Sequence, residues 1–173
     1  MDFYFQIGKP KDSSLKVKNF PPILRSIYAS PTYIKAHGQP ADPLALSEHF
    51  CIGYTAKDSA IWYLKSEKQE QAVKVTLRIS VADPVIHKLL TLDGLGIAPL
   101  PVWAALPEVE NGKLVAVLPD WKPEPLHFHV LYAERSSNAP KIKVFLEFIE
   151  QFISTEDDPR SSHYQTSEIF QIS

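Results

Sequence analysis

The chain has 173 residues and a formal net charge of −2, from 18 basic and 20 acidic side chains. A composition that is 45% hydrophobic and 22% charged is typical of a soluble globular domain and shows no sign of a basic nucleic-acid-binding surface. No apolar run approaches the roughly 20 residues that span a bilayer, and no signal peptide precedes the first apolar segment. A cytoplasmic location is therefore expected.

The first part of the chain predicts short strands separated by prolines and helix-start signals. Ser30 with Pro31 is typical of a helix N-cap and first turn, and Gly38 is expected to end that helix. Asp42 with Pro43 repeats this pattern before a second short helical segment. The strands predicted in this part are 2–8, 15–20, 23–30 and 50–54.

The segment 79–101 predicts a strand–helix–strand unit. Asp83 and Pro84 give an N-cap and a first-turn proline, and apolar residues then recur at spacings of three and four. Gly94 and Gly96 end the helix before a second apolar strand. Such a connection is expected to be right-handed with parallel strands, so the helix N-terminus faces any ligand at that edge of the sheet.

The other predicted elements alternate strands with two further helices. Pro107 is expected to end a short helix that begins at Val102. His87, on the helix that begins at Pro84, is expected to be exposed or capping. The polar segment 154–173 is expected to be disordered. The remaining predictions are strands at 61–65, 72–82, 114–118 and 126–133, an irregular connector at 119–125 and an amphipathic helix at 139–153.

Three segments in this order carry a resemblance to a known family. They read IYASPTYIKAHGQPADPLALSEHFCIGY (27–54), VADPVIHKLLTLDGLGIAPLP (81–101) and GKLVAVLPDWKPEPLHFHVLYAERSSNAPKIKVFLEFIEQF (112–152). Together they resemble the effector-binding domain of LysR-type transcriptional regulators, over roughly residues 2–152. The resemblance implies an α/β, type 2 periplasmic-binding-protein-like domain of two lobes, with the second lobe complete and the first truncated at its N-terminus.

The resemblance further implies a co-inducer-sensing fragment that binds a small molecule between its lobes. Self-association through the sensor domain is expected, whereas DNA would be contacted only through a helix-turn-helix domain that these residues do not contain. No cofactor, metal or membrane partner is implied. The implied divisions are 1–28 for the partial first lobe, 29–125 for the second lobe, 126–153 for the return strand and closing helix of the first lobe, and 154–173 for the tail.

The family's effector contacts, carried over by position, give a set of candidate residues. Several have plainer interpretations, since Ser30 and Asp83 also fit simple N-caps and Gln6 also fits a solvent-facing side chain. Tyr54 and Thr55 also fit ordinary loop positions. The candidate effector-binding residues are Gln6, Ile7, Ser30, Tyr54, Thr55, Asp83 and Pro99.

Enzymatic and metal-binding functions are not expected. His127 and His129 lie two residues apart with no third ligand at a suitable spacing. Cys51 lies in an apolar strand with no neighbouring base, and the glycines at 94–96 follow a helix, whereas a phosphate-binding loop precedes one. The alternative function is a solute-binding protein of the same two-lobed architecture, which the absence of a signal peptide weighs against.

Overall fold

The computed structural model describes residues 3–7, 15–54, 60–133 and 140–153. The predicted disordered tail and Thr55 lie outside these residues. The strands are β1 Phe3–Ile7, β2 Lys16–Asn19, β3 Arg25–Ala29, β4 Phe50–Gly53, β5 Ile61–Lys65, β6 Glu70–Lys74, β7 Thr76–Ser80, β8 Ala98–Pro101, β9 Val115–Val117, β10 Lys122–Pro123 and β11 Phe128–Tyr132. The helices are α1 Pro31–His37, α2 Pro84–Leu92, α3 Val102–Glu110 and α4 Pro140–Ile153, with a 3₁₀ helix at Pro43–Glu48.

The chain forms two compact units. The described residues up to Ile23 and from Pro125 onward belong to the first unit, and Leu24–Glu124 forms the second. The chain therefore passes between units at residues 23–24 and 124–125. The lobe divisions expected from the resemblance at residues 28 and 125 stay a prediction.

The second unit is built on β3, which has β8 and β9 as antiparallel neighbours. Successive β3 side chains alternate between two apolar clusters, with Ile27 and Ala29 in one and Tyr28 in the other. Cys51 and Ile52 of β4 are divided between the same two clusters. This period of two is what a sheet covered on both faces requires, and it places fully buried side chains in each cluster.

The expected strand–helix–strand unit is confirmed. Strand β7 and the residue before β8 both pair in parallel with β4, through Gly53 with Ser80 and Cys51 with Ile97. Asp83 caps α2 and Pro84 is its first residue. Gly94 takes a positive φ of 78° just past the helix, as the predicted stop signal requires.

Two predicted elements are wrong in extent. The single strand expected at 72–82 is divided at Val75, whose N–H donates to Ala60 O at 2.7 Å. The division lets β6 pair antiparallel with β5 while β7 pairs in parallel with β4. Pro107 lies inside α3 instead of ending it, because Ala105 and Val109 on either side pack into the core and stabilise the longer helix.

The first unit holds a three-stranded antiparallel sheet of order β1-β11-β2. Phe128 of β11 stacks on Phe5 of β1 with ring centroids 5.3 Å apart, and Phe5 meets Phe145 of α4 at 5.9 Å. Helix α4 therefore packs on this sheet through the apolar face that its sequence predicts. No helix of the described residues is long and apolar enough to cross a membrane.

Tyr33 joins α1 to the start of β4. Its hydroxyl accepts a hydrogen bond from Phe50 N at 3.0 Å and lies 3.2 Å from Nδ1 of His49. Burial lowers the pKa of His49, the nearby His37 imidazole lowers it further, and Glu48 acts in the opposite direction. A neutral His49 with its proton on Nε2 accepts from the tyrosine hydroxyl, whereas protonation turns Nδ1 into a donor and leaves Phe50 O, 3.5 Å away, as the acceptor for that hydroxyl.

Acid is expected to destabilise the second unit through His49. Its pKa is lower folded than unfolded, so the unfolded chain binds more protons and stability falls as pH drops below about 6.5. In His49→Asn the amide oxygen can accept from Tyr33 without titrating. The melting temperature of this variant is therefore expected to change less between pH 8 and pH 5 than that of the wild type. Equal slopes in the two proteins would contradict this role.

Candidate functional site

One edge of the second unit gathers the C-terminal ends of three parallel segments. Strands β4 and β7 end together because Gly53 pairs with Ser80, and Val81 N extends the pairing to Gly53 O at 3.0 Å. Tyr54 follows β4 at once, and Asp83 follows β7 ahead of α2. Strand β8 runs parallel to β4 and ends at this same edge, where α3 begins. We call it the effector edge.

Asp83 closes the N-terminus of α2 with its own side chain. Its Oδ1 accepts from Val85 N at 2.8 Å and from Ile86 N at 2.9 Å. The carboxylate thus satisfies two backbone donors and adds negative charge where the helix dipole is positive. The N-cap interpretation of Asp83 is confirmed, and any ligand at this helix start meets the carboxylate as well as the helix.

The sequence did not indicate that Arg25 belongs to the effector edge. Pairing of Arg25 with Pro101 places the start of β3 beside the end of β8. The guanidinium donates to Glu124 O from Nε at 2.9 Å and from Nη2 at 2.5 Å. It therefore joins the two stretches at which the chain enters and leaves the second unit. An arginine at a strand start has no distinctive local signal, and only the pairing of β3 reveals its position.

Ser30 lies at the opposite end of the sheet from Tyr54 and Asp83. Because β3 runs antiparallel to β8, its C-terminal end lies beside the start of β8. A Cβ on Gly94 would lie 3.1 Å from Ser30 Oγ, which confirms that these two residues are neighbours. Ser30 is 2% exposed and caps α1 by accepting from Tyr33 N at 3.1 Å. Its N-cap interpretation is confirmed.

The remaining candidates are dispersed. Pro99 is a buried residue in the middle of β8, paired with Ile27. Gln6 and Ile7 belong to the first unit, where Gln6 pairs with His129 of β11 and Ile7 pairs with Phe128. Of the sequence-predicted residues that are described, the structure therefore brings together Tyr54 and Asp83 at the effector edge.

His129 adds a polar feature to the sheet of the first unit. It pairs with Gln6 on one side and Asn19 on the other, and its Nδ1 lies 2.8 Å from Asn19 Oδ1. Its Nε2 is buried with no hydrogen-bond partner among the described residues. Gln6, His129 and Asn19 form a polar row across this sheet, of which the sequence indicated Gln6 and His129 but not Asn19.

His87 is buried, not exposed or capping as predicted. It is 1% exposed, and its Nε2 lies 3.1 Å from Ile52 O. The helical register of α2 turns this position inward toward β4, one turn after the cap. Because histidine is polar, the sequence predicted a surface position. The Ile52 carbonyl beneath the helix instead gives the buried imidazole a hydrogen-bond partner.

Nucleophilic chemistry finds no support at Cys51. Burial raises the pKa of the Cys51 thiol to about 12, so the reactive thiolate is negligible at neutral pH. The residue is fully buried in β4, as predicted. Among the described residues no cluster of three or more histidine, cysteine, aspartate or glutamate side chains could hold a metal ion.

Comparison with known proteins settles the family. Residues 1–153 match the family model described as LysR substrate binding domain. The chain belongs to this family. The match includes the described residues of both units, which together form a LysR-type effector-binding domain. The resemblance inferred from the three sequence segments is confirmed, and it is favoured over the solute-binding alternative.

Curated relatives of the LysR family are transcriptional regulators. The chain is 28% identical over 156 residues to the HTH-type transcriptional regulator DmlR of Escherichia coli K12, covering 89% of this chain and 50% of that protein. It is 32% identical over 127 residues to the HTH-type transcriptional activator TtdR of the same strain, covering 72% of this chain and 41% of that protein. The chain thus spans about half the length of the curated relatives it matches.

Solved structures of LysR-type regulators share the fold. The regulatory domain of AphB from Vibrio vulnificus superposes with a TM-score of 0.68 at 25% identity, covering 87% of this chain and 75% of that one. CrgA of Neisseria meningitidis gives a TM-score of 0.75 at 24% identity, covering 88% of this chain and 52% of that one. The α/β, periplasmic-binding-protein-like fold class predicted from the sequence is confirmed.

Proposed function

We propose that this LysR-type domain binds a small-molecule effector at the effector edge, with Tyr54, Asp83 and Arg25 as the polar groups that orient it. The observation that carries the proposal is the convergence of three strand ends and two helix starts on this edge. In open α/β sheets ligands bind in the crevice outside the carboxyl ends of the strands. A hydroxyl, a carboxylate and a guanidinium supply the few convergent polar groups that such sites use.

The chemistry of this site is reversible binding. An effector that binds one conformation of the domain more tightly than another shifts the balance between them by its difference in affinity. In a regulator that shift would bias a DNA-binding domain. We propose that this second domain makes the contact with DNA and that the regulator acts in the cytoplasm. The expected location of the effector between two lobes stays a prediction, as do the roles of Gln6, Ile7, Ser30, Thr55 and Pro99.

The domain is also proposed to self-associate. Each unit exposes large apolar side chains, which isolated soluble domains seldom cluster. In the first unit these are Tyr4, Phe5, Val17, Val144 and Phe148, on β1, β2 and α4. In the second unit Val85, Ile86 and Leu89 lie together on α2. A second copy of the chain is the proposed partner.

A small molecule that binds the effector edge is expected to raise the melting temperature of the domain. At a concentration of about 100 times its dissociation constant it should add roughly 2.7 kcal/mol to the free energy of unfolding. The measurement is a melt followed by tryptophan fluorescence against a panel of metabolites. Trp103, at the start of α3, is 69% exposed at this edge and provides a local reporter, assigned with Trp103→Phe.

Matched variants locate the binding site. Tyr54→Phe and Asp83→Asn are expected to weaken binding of the active compound by about tenfold, since each removes one charged or hydroxyl group. Asp42→Asn makes the same change as Asp83→Asn at the N-cap of the 3₁₀ helix, which leads into the opposite end of β4. It is expected to bind normally. Equal affinity in all these variants would exclude the effector edge, and a panel without any stabilising compound would count against effector binding itself.

A further inference from the structure

The imidazole of His87 fastens α2 to the end of β4. Its Nε2 lies 3.1 Å from Ile52 O, and a carbonyl oxygen can only accept a hydrogen bond. The proton of the neutral ring must therefore be on Nε2. Because Ile52 is two residues before Tyr54, this bond fixes the backbone from which Tyr54 leaves the strand.

The same ring also contacts the Tyr54 side chain. The two ring centroids lie 5.6 Å apart with the ring planes at 55°. Tilted contacts of this kind are a favoured geometry for aromatic pairs, because the positive edge of one ring meets the negative face of another. His87 thus restrains Tyr54 twice, through the backbone of β4 and through its ring.

His87 is also linked to Asp83, through the backbone of α2. His87 N donates to Asp83 O at 2.9 Å in the first turn of α2, and Thr91 Oγ1 donates to His87 O at 2.9 Å in the next. His87 therefore has a fixed height on the helix relative to the capping carboxylate. One buried residue, 1% exposed, connects the two candidate side chains of the effector edge.

We propose that His87 is a positioning residue that holds Tyr54 and Asp83 at a fixed separation for the effector. This inference rests on the proposed function of the effector edge. A histidine that merely filled the core would stabilise the unit without orienting Tyr54. The two roles differ in whether Tyr54 moves when the imidazole is replaced.

The test is fluorine NMR of the full chain carrying 3-fluorotyrosine. The chain has 7 tyrosines, and the Tyr54 signal is assigned from its loss in Tyr54→Phe. His87→Gln keeps an N–H donor and removes the ring, whereas His87→Phe keeps a ring and removes the donor. The Tyr54 signal is expected to move by more than its linewidth in both variants, and either variant alone suffices if the other does not fold.

Leu90→Ala is the matched control on the same helix. Leu90 packs from α2 against the core three residues after His87, and its truncation leaves a cavity but keeps the imidazole with its contacts to Ile52 O and the Tyr54 ring. It should lower the melting temperature and leave the Tyr54 signal in place. A Tyr54 signal that stays unmoved in the folded His87 variants, while their melting temperatures fall as in Leu90→Ala, would overturn the positioning role.

Binding of the panel compounds separates this inference from the proposed function. A compound that stabilises the wild type is expected to bind His87→Phe about tenfold more weakly, the same loss expected when a side chain of the site is removed. It is expected to bind Leu90→Ala with unchanged affinity. Unchanged affinity in His87→Phe would count against positioning. A Tyr54 signal that moves in the His87 variants, with no compound stabilising the wild type, would contradict effector binding and leave the restraint of Tyr54 by His87 established.

Discussion

Replacing Gly96 with alanine is expected to destabilise the second unit by about 3 kcal/mol, the upper end of the range for overpacking a core. An alanine Cβ at this position would lie 2.6 Å from Phe50 O and 3.2 Å from a side-chain carbon of Ile52. The nearer atom belongs to the backbone of β4, which pairs in parallel with Ile97 through a bond from Ile97 N to Phe50 O at 2.9 Å. The clash would therefore disrupt the parallel pairing of β4 with the segment before β8, on which the effector edge depends.

Gly112→Ala is the matched control for Gly96→Ala. Gly112 has a φ of 70° and open space around a hypothetical Cβ, so its substitution costs backbone strain without a clash. That cost is about 1 kcal/mol. Urea denaturation should show a large loss of stability for Gly96→Ala and a small one for Gly112→Ala. A reversed order would mean that β4 and the segment before β8 can separate without loss.

Local signals in the sequence specified the elements well. Ser30 with Pro31 and Asp83 with Pro84 began helices at the predicted residues, because a side-chain cap and a first-turn proline act within one turn. Signals that depend on packing failed. Pro107 was expected to end a helix, yet apolar contacts on both sides of it maintain α3.

The candidate site depended on strand direction, which the sequence does not show. Ser30 and Tyr54 both follow strands, and the resemblance placed both in the effector site. The antiparallel course of β3 sends Ser30 to one end of the sheet, and the parallel course of β4 and β7 sends Tyr54 and Asp83 to the other. Arg25 and His87 reach the same edge only through long-range pairing and burial. Their roles could therefore not be predicted from neighbouring residues.

Replacing Leu89 with lysine is expected to convert a self-associated domain into a monomer. Val85, Ile86 and Leu89 are 62%, 47% and 51% exposed on one face of α2, and their spacing places them side by side. Lys88 beside them is paired with Glu108 at 3.2 Å, so the patch has a polar rim. An apolar centre with a charged rim is the anatomy of a protein interface. A buried lysine at its centre should cost about 3 kcal/mol, which weakens association by roughly a hundredfold.

Light scattering at several concentrations distinguishes this α2 surface from the apolar surface of the first unit. The wild type is expected at twice the chain mass of 19.5 kDa and Leu89→Lys at the monomer mass. Phe148→Lys makes the same change on α4, where the side chain is 60% exposed, and should leave the dimer intact. The opposite pattern would assign self-association to the apolar surface of the first unit. Because α2 also carries Asp83 and His87, a dimer formed through α2 would place the partner on the helix that begins at the effector edge. Effector affinity should then depend on protein concentration in the wild type and not in Leu89→Lys, since linked equilibria act reciprocally.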